Sequence, residues 1–377
     1  MSSDASNART AMTYRFLGNS GLLVSKLGLG SWMQYDAQAT VDAWFDVMHT
    51  AFEHGVNFFD TAEFYGNGQA EELLGGAIKK GVADGVWTRE DLVVTTKIFW
   101  GSSLANAGPN DQGLSRKHIV EGTRASLRRL QLDYVDVIYC HRSEPFTPME
   151  EVVRGMNHVI NQGSAFYWGT SEWSSAEIRE ACEIADRLHL IRPIVEQPLY
   201  NILERNKVEY EFADLYKEYK LGLTVWSPLA MGILTGKYRN GIPEGSRFAA
   251  PSFRSYNKDF EHQVEIANEL DVVAKRLGCS LAQLAIAWCI SNEHVSTAIL
   301  GARNAVQLKE TLKAISVVDK LTPEVKSEID AIVKFVPKLS VQDPTVLVRA
   351  RHLGDGYEVP DAIKEWGKTG STEANKE

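Results

Sequence analysis

From residue 26 to residue 302, short apolar runs alternate with longer amphipathic stretches. The short runs are KLGLG (26–30), VNFFD (56–60), LVVTTK (92–97), YVDVIYCH (134–141), AFYWGTS (165–171), IVEQ (194–197), LTVWS (223–227) and TAILGA (297–302). Runs such as LVVTT and DVIY are nearly continuous in apolar residues, as parallel strands covered on both faces must be. Between them the apolar positions recur with a helical period. Residues 40–54 follow Thr40, an N-cap residue type, and 115–130 begin at Ser115. Residues 148–162 begin at Pro148, which suits a first turn. Residues 174–188 open Ser174-Ser175-Ala176-Glu177, with capping-box spacing from Ser174 to Glu177. Eight strand-and-helix units in roughly 300 residues predict a closed (β/α)8 TIM barrel of the α/β class. An open doubly wound sheet is the alternative, but its glycine signature fails, because Gly28-Leu29-Gly30 continues as Ser-Trp-Met-Gln. Ahead of the first unit, YRFLGNSGLLVS sets two apolar runs around Gly18-Asn19-Ser20-Gly21 and predicts a β-hairpin.

In such a barrel the chemistry lies where the strands end. The strand ends here are Ser31-Trp32, Asp60, Lys97, His141, Ser171, Gln197, Trp226-Ser227 and Gly301. Polar and ionisable groups closing apolar strands are costly unless paired. Asp60, Lys97 and His141 end consecutive strands, and Tyr65 follows Asp60 by five residues. A phenol with a reference pKa near 10 gives up its proton reluctantly. A nearby ammonium stabilises the phenolate, and a carboxylate keeps the ammonium charged and in place. Asp60, Lys97 and Tyr65 thus read as a proton-donating chain, with His141 as a second donor to a substrate oxygen. Singly, each has a plainer reading: a rim ion pair for Asp60 and Lys97, packing for Tyr65, a satisfied polar residue for His141.

The composition narrows the choice. The chain has 377 residues, with 40 Lys+Arg against 49 Asp+Glu and a net charge of −9. A 44% hydrophobic content fills a core and excludes disorder as the dominant state. The negative charge argues against a nucleic-acid partner. Length alone allows one or two domains; the steady pattern favours one barrel over 13–340. It leaves a disordered polar tail at 1–12 and a helical, partly disordered C-terminal extension at 341–377. The four cysteines show no CxxC spacing, and no carboxylate/His cluster at the strand ends suggests a metal. No glycosylation sequon, leader-like apolar segment or run of ~18 apolar residues is present, which predicts a cytoplasmic protein without membrane insertion.

The chain resembles the aldo-keto reductases over roughly Tyr14 to Lys334. The resemblance rests on Asp60-Thr-Ala-Glu-Phe-Tyr65-Gly66, on Thr95-Thr96-Lys97 and on Val135-Asp-Val-Ile-Tyr-Cys-His141. It implies a (β/α)8 barrel that uses NADP(H) to reduce small-molecule aldehydes and ketones. Tyr65 becomes the general acid, Lys97 lowers its pKa, Asp60 supports Lys97, and His141 orients the carbonyl. The stretches TKIFWG (96–101), GLSRKHI (113–119), NQGSAFYWGTSEWSS (161–175), WSPLAMGILTGKY (226–238) and LAIAWC (284–289) are similar to the potassium-channel β-subunit branch. That branch implies a homo-oligomer, often a tetramer, with a membrane channel as a possible partner and the bound cofactor as a redox reporter. His141 favours catalysis, since animal members of the branch commonly have asparagine there. Glu172 stands where the branch commonly has arginine.

The same resemblance assigns the cofactor residues. Ser31, Trp32, Gln38 and Asp60 lie on the first loops, and Ser171 and Gln197 hold the nicotinamide amide, with Tyr200 or Trp226 stacking on its ring. The segment Trp226, Ser227, Pro228, Leu229, Ala230, Gly232 with Lys237 would cradle the pyrophosphate, and with Arg247 it forms a belt. It is one residue short of a Walker A loop. Gly301, Arg303 and Gln307 would bind the ribose phosphate at a helix N-terminus, with Glu310 and Thr311 facing the adenine. Arg303 also reads as an exposed helix-cap charge. Trp32, Tyr65, Trp100 and His141, with Tyr35, would wall a substrate pocket suited to apolar carbonyls.

Overall fold

Eight parallel strands close on one another in the computed structural model, which describes residues 12–32, 39–103, 107–250, 253, 257, 259–338, 347–349 and 352–353. A hairpin of β1 (Tyr14–Phe16) and β2 (Leu23–Ser25) precedes them, with Arg15 opposite Val24. The barrel strands are β3 (Leu27–Gly30), β4 (Phe58–Asp60), β5 (Val93–Ile98), β6 (Val135–Cys140), β7 (Ala165–Ser171), β8 (Val195–Gln197), β9 (Gly222–Val225) and β10 (Val295–Leu300). β10 pairs with β3 and closes the ring. All eight apolar runs became strands. The last two end sooner than their hydrophobicity suggests, because Trp226 makes only an isolated bridge to Leu199 and Gly301 lies past the pairing with β3.

The helices begin where the sequence placed their caps. α1 (Val41–Glu53) has Thr40 at its N-cap, accepting from the Ala43 amide. α2 (Gln69–Ala83) follows the tight turn after Tyr65. α3 (Arg116–Leu130) is capped by Ser115, which accepts from the His118 amide. α4 (Met149–Asn161) starts after Pro148, one residue later than expected for a first-turn proline. α5 (Ser175–Arg187) carries the full reciprocal box between Ser174 and Glu177. Such a cap stabilises a helix start by about 1 kcal/mol.

Two packed layers follow from strand alternation. Phe58, Val93, Val137, Tyr139, Val195 and Ile299 fill the barrel interior, while Ile138 and Cys140 face the helices. Leu17 and Val24 of the hairpin join the interior cluster. Each such buried side chain contributes about 1.5–3 kcal/mol over exposure. A Cβ on Gly18 would stand 2.0 Å from the Ile194 carbonyl and 2.8 Å from the Gly222 amide, and its φ is +57°. Only glycine lets the hairpin seat against the starts of β8 and β9. The hairpin therefore seals the end where strands begin, and the opposite end stays available for chemistry.

The tail read at 1–12 lies outside the described residues except Met12, which is buried in the core. Of the extension at 341–377, only 347–349 and 352–353 are described. They dock on the barrel: Val348 is buried, Arg349 pairs with Glu144 at 2.8 Å, and His352 bonds to Gln112 at 2.9 Å. Among the described residues, no single helix is long and apolar enough to cross a membrane.

Candidate active site

Asp60 ends β4 and Lys97 lies near the end of β5, on adjacent parallel strands. Their side chains meet inside the barrel mouth. The Lys97 ammonium is fully buried and donates to Asp60 Oδ2 at 2.5 Å, to the Thr61 carbonyl at 2.8 Å and to the Tyr65 hydroxyl at 3.3 Å. Asp60 Oδ1 accepts from Thr95 at 2.7 Å and from Gln197 at 3.2 Å. The carboxylate thus accepts three hydrogen bonds from two strands, β5 and β8, as a buried charge requires. His141 follows β6, its amide bonded to the Ile98 carbonyl. Its ring stands 5.7 Å from the Tyr65 ring and 4.5 Å from that of Trp100. All four sequence candidates come together in one layer.

Electrostatics qualify the expected roles. Burial pushes the Tyr65 phenol well above its ordinary pKa; Asp60 adds to that and Arg142 opposes it. Burial pulls Lys97 down, against the pull of Asp60 upward. His141 is held well below the usual histidine value by burial, then by the charges of Arg142 and Lys97. Its Nδ1 is buried and meets no hydrogen-bond partner among the described residues. The site at neutral pH is a protonated phenol, a paired ammonium and a neutral imidazole.

Trp100 is buried, packing on His141 and, at 5.2 Å, on Phe64. Trp32 is exposed at the mouth, 6.4 Å from Trp226 and 6.3 Å from Phe253. Gln38 and Tyr35 lie outside the described residues. Tyr200 is not available for stacking on a ligand: it is buried, lies 5.1 Å from Trp288 and donates its hydroxyl to Glu209. Its strand partner leaves Trp226 as the aromatic at that edge. Trp226 donates its indole N–H to Glu172 at 2.8 Å, and Glu172 pairs with Lys207 at 3.1 Å. A carboxylate at this position is thus anchored away from solvent by three elements.

Ser31 donates to Thr61 at 2.8 Å, and Ser171 to the Gln197 carbonyl at 3.0 Å. Past β9, Ser227, Ala230, Met231 and Gly232 all adopt positive φ. Left-handed non-glycine residues cost about 1–3 kcal/mol each and cluster at functional sites. A Cβ on Gly232 would stand 2.8 Å from Lys237 Nζ, so the glycine makes room for the ammonium over the turn. Pro228 and Leu229 sit inside this bend. Arg247 stacks over the Trp32 ring at 4.6 Å. Arg303 donates to the Gly245 carbonyl at 3.3 Å, while Gln307 accepts from the Arg303 amide at 3.0 Å. Among the described residues, none of Lys237, Arg247 and Arg303 pairs with a carboxylate. Gly301 is exposed beside them. On the helix α9 (Ala305–Leu312), Glu310 pairs with Lys313, and Thr311 is buried with its hydroxyl donated to the Leu308 carbonyl at 2.9 Å.

Sequence reading overlooked Glu63. It is a lone acid in the run TAEF, buried at 1% exposure, and bonds to His118 at 3.1 Å. An acid with no adjacent cation inside an apolar run is the signal that could have found it. Arg142, stacked over Trp100 at 5.0 Å and donating to the His141 carbonyl at 2.6 Å, was missed because it lies one residue beyond the strand end.

The family pattern described as "Aldo/keto reductase family" matches residues 26–334. A protein of Oryza sativa subsp. japonica named "Probable voltage-gated potassium channel subunit beta" is 53% identical over 330 residues, covering 87% of this chain and 98% of that protein. One of Arabidopsis thaliana with the same name is 52% identical over 330 residues, with the same coverage of each chain.

Proposed function

Since the chain belongs to the aldo/keto reductase family, whose members are oxidoreductases of small carbonyl compounds, we propose that it reduces aldehydes and ketones to alcohols with NADPH. The observation that carries the proposal is Lys97, buried between Asp60 and the Tyr65 hydroxyl. When bound, the reduced nicotinamide supplies the hydride.

The chain's own residues do the rest. Among the described residues Lys237, Arg247 and Arg303 have no carboxylate partner, a donor set that fits a dinucleotide's phosphates. Ser171 and Gln197 lie at neighbouring strand ends and suit a carboxamide. Trp32 and Trp226 offer ring faces at the mouth. Tyr65 keeps its proton at neutral pH and delivers it to the substrate oxygen as negative charge gathers there. The phenolate left behind accepts a bond from Lys97, already 3.3 Å away. Asp60 holds Lys97 in its charged form through that step. His141 is neutral, so one ring N–H can hold the carbonyl oxygen without repelling the neighbouring ammonium. Trp32, Tyr65, Trp100 and His141 make the substrate pocket.

The test is to mix protein, NADPH and para-nitrobenzaldehyde and follow the reduced cofactor's near-ultraviolet absorbance. Turnover that falls by about a hundredfold or more in Tyr65→Phe is expected. Absence of turnover, or equal turnover in the variant, overturns the reading.

The relatives' printed names favour a second reading, a subunit of a voltage-gated potassium channel; in it we place the chain as a cytoplasmic tetramer that reports the redox state of bound NADP(H) to the channel. Membrane fractions solubilised in mild detergent would then yield the protein together with a channel; recovery only as a free soluble species counts against it.

A further inference from the structure

We propose that Glu63 is a positioning residue of the carbonyl site, setting Trp100 as the wall on which His141 rests. The proposal rests on the reductase reading for its catalytic consequence and on geometry alone for the placement.

Glu63 lies two residues before Tyr65, and its amide donates to the Lys97 carbonyl at 3.2 Å. Its side chain turns the other way, under the loop after β5. There Glu63 Oε1 accepts from the Phe99 amide at 2.6 Å and the Gly101 amide at 2.9 Å. Those amides flank Trp100 on both sides. One carboxylate oxygen therefore fixes the two peptide groups that orient the indole, and does so from the segment that carries Tyr65. A third contact, from His118 Nε2 at 3.1 Å, holds the carboxylate from the first turn of α3. His118 is itself placed there by the Ser115 cap. The helix makes space for the pair, since a Cβ on Gly122 would stand 3.2 Å from Glu63 Oε2 and 3.1 Å from His118 Cε1.

His141 explains why this placement has consequences. Its Nδ1 has no hydrogen-bond partner among the described residues, so none of them fixes the ring's rotation by a polar contact at that atom. Trp100, 4.5 Å away and nearly edge-on at 67°, and Tyr65, 5.7 Å away at 77°, fix it by packing. Both neighbours belong to segments that Glu63 joins. Burial opposes charge on both Glu63 and His118, yet their mutual attraction keeps Glu63 below and His118 above their ordinary values. The amides of Phe99 and Gly101 help hold Glu63 down. The two groups thus favour each other's charged forms, and the 3.1 Å contact between them is geometric support for the clamp.

The carboxylate length matters as well as its charge. Aspartate, one methylene shorter, cannot reach both amides from the same backbone. Glutamine keeps the acceptor oxygen but gives up the charge that His118 answers. These differences separate positioning from general structural support.

The experiment compares Glu63→Ala, Glu63→Asp and Glu63→Gln with the wild type and with Trp100→Phe. NADPH affinity, measured by fluorescence of the bound reduced cofactor, is expected to stay within about twofold in all. The kcat/KM for para-nitrobenzaldehyde is expected to fall by about a hundredfold in Glu63→Ala and Glu63→Asp, as for a catalytic group displaced by an ångström. Glu63→Gln should recover at least tenfold of that loss. Independently of turnover, the near-ultraviolet circular dichroism that Trp100→Phe removes should also vanish in Glu63→Ala and Glu63→Asp, with the far-ultraviolet spectrum unchanged. Retention of the Trp100 signal in both variants overturns the proposal, as does cofactor affinity falling in parallel with kcat/KM. If Glu63→Ala does not fold, Glu63→Asp carries the same readings. A wild type without carbonyl turnover would sink the reductase reading alone, and the dichroism would still decide the placement.

Discussion

Lys97 stands 2.5 Å from Asp60 with both side chains out of reach of water, and the same ammonium lies 3.3 Å from the Tyr65 hydroxyl. Burial lowers the lysine's pKa, and Asp60 opposes that. The carboxylate's part in catalysis is therefore to keep its neighbour charged. In Asp60→Asn the opposing term is gone, and the Lys97 pKa should drop further. The alkaline limb of the kcat profile should then move to lower pH, and kcat at neutral pH should fall by about a hundredfold. A profile that keeps its wild-type limb would contradict this account.

His141 carries no charge near neutrality and offers the substrate a hydrogen-bond donor. Its removal as His141→Ala should lower kcat/KM by about a hundredfold, the cost of one donor at a developing oxyanion. His141→Gln keeps a donor and should recover part of the loss. Because the folded-state value lies well below the unfolded one, the unfolded chain takes up a proton first as pH falls through about 6.5. Wild-type stability should decline there, and His141→Gln should flatten that decline. Urea titrations of both proteins on either side of that pH measure the difference.

These two residues also show how far the sequence could be read. Strand ends were legible because near-continuous apolar runs in parallel strands close on ionisable residues, as at Asp60, Lys97 and His141, with Asp136 the exception inside its run. The caps were legible because they are local: Thr40, Ser115 and Ser174 each bond within three residues. What sets a side chain's surroundings was not legible. That burial pushes the Tyr65 phenol up could not be read, because depth is a property of the closed barrel. Tyr200 and Trp226 looked equivalent as ring-stacking aromatics; only the packing of Tyr200 on Trp288 separates them. Glu63 and His118 are 55 residues apart and meet only when α3 packs beside β5.

Lys237, Arg247 and Arg303, which pair with no carboxylate among the described residues, make a separate prediction for cofactor choice. Arg303 lies at the start of α9, close enough to Arg247 for its charge to depress that residue's pKa further, after burial. Two like charges held together without a carboxylate lower the cost of binding an anion there. Replacing Arg303 with alanine should weaken NADPH by about 10- to 100-fold, or about 1.4 to 3 kcal/mol, while leaving NADH affinity nearly unchanged. Raising the salt concentration should narrow the gap between the wild type and the variant. Equal losses for both dinucleotides would instead place Arg303 at a phosphate they share.

Glu196 offers a test of stability that is independent of catalysis. It sits in β8, fully buried, and accepts from Thr170 at 2.5 Å, while its Oε1 has no partner. Burial pushes its pKa up to about 8 from an ordinary 4.5; Lys207 and the Thr170 bond oppose the rise, and Glu172 adds to it. Between those two values the unfolded chain has released a proton that the folded chain still holds. Stability therefore falls as pH rises through that window and levels off above it. Glu196→Gln has no proton to release, so its stability should be flat where the wild type declines. The variant's advantage should grow from near zero around pH 4.5 to a few kcal/mol above pH 8, at about 1.4 kcal/mol per pH unit at most. Chemical denaturation at about pH 5 and about pH 9 measures it, and an advantage that does not widen with pH would mean that Glu196 is already ionised in the folded barrel.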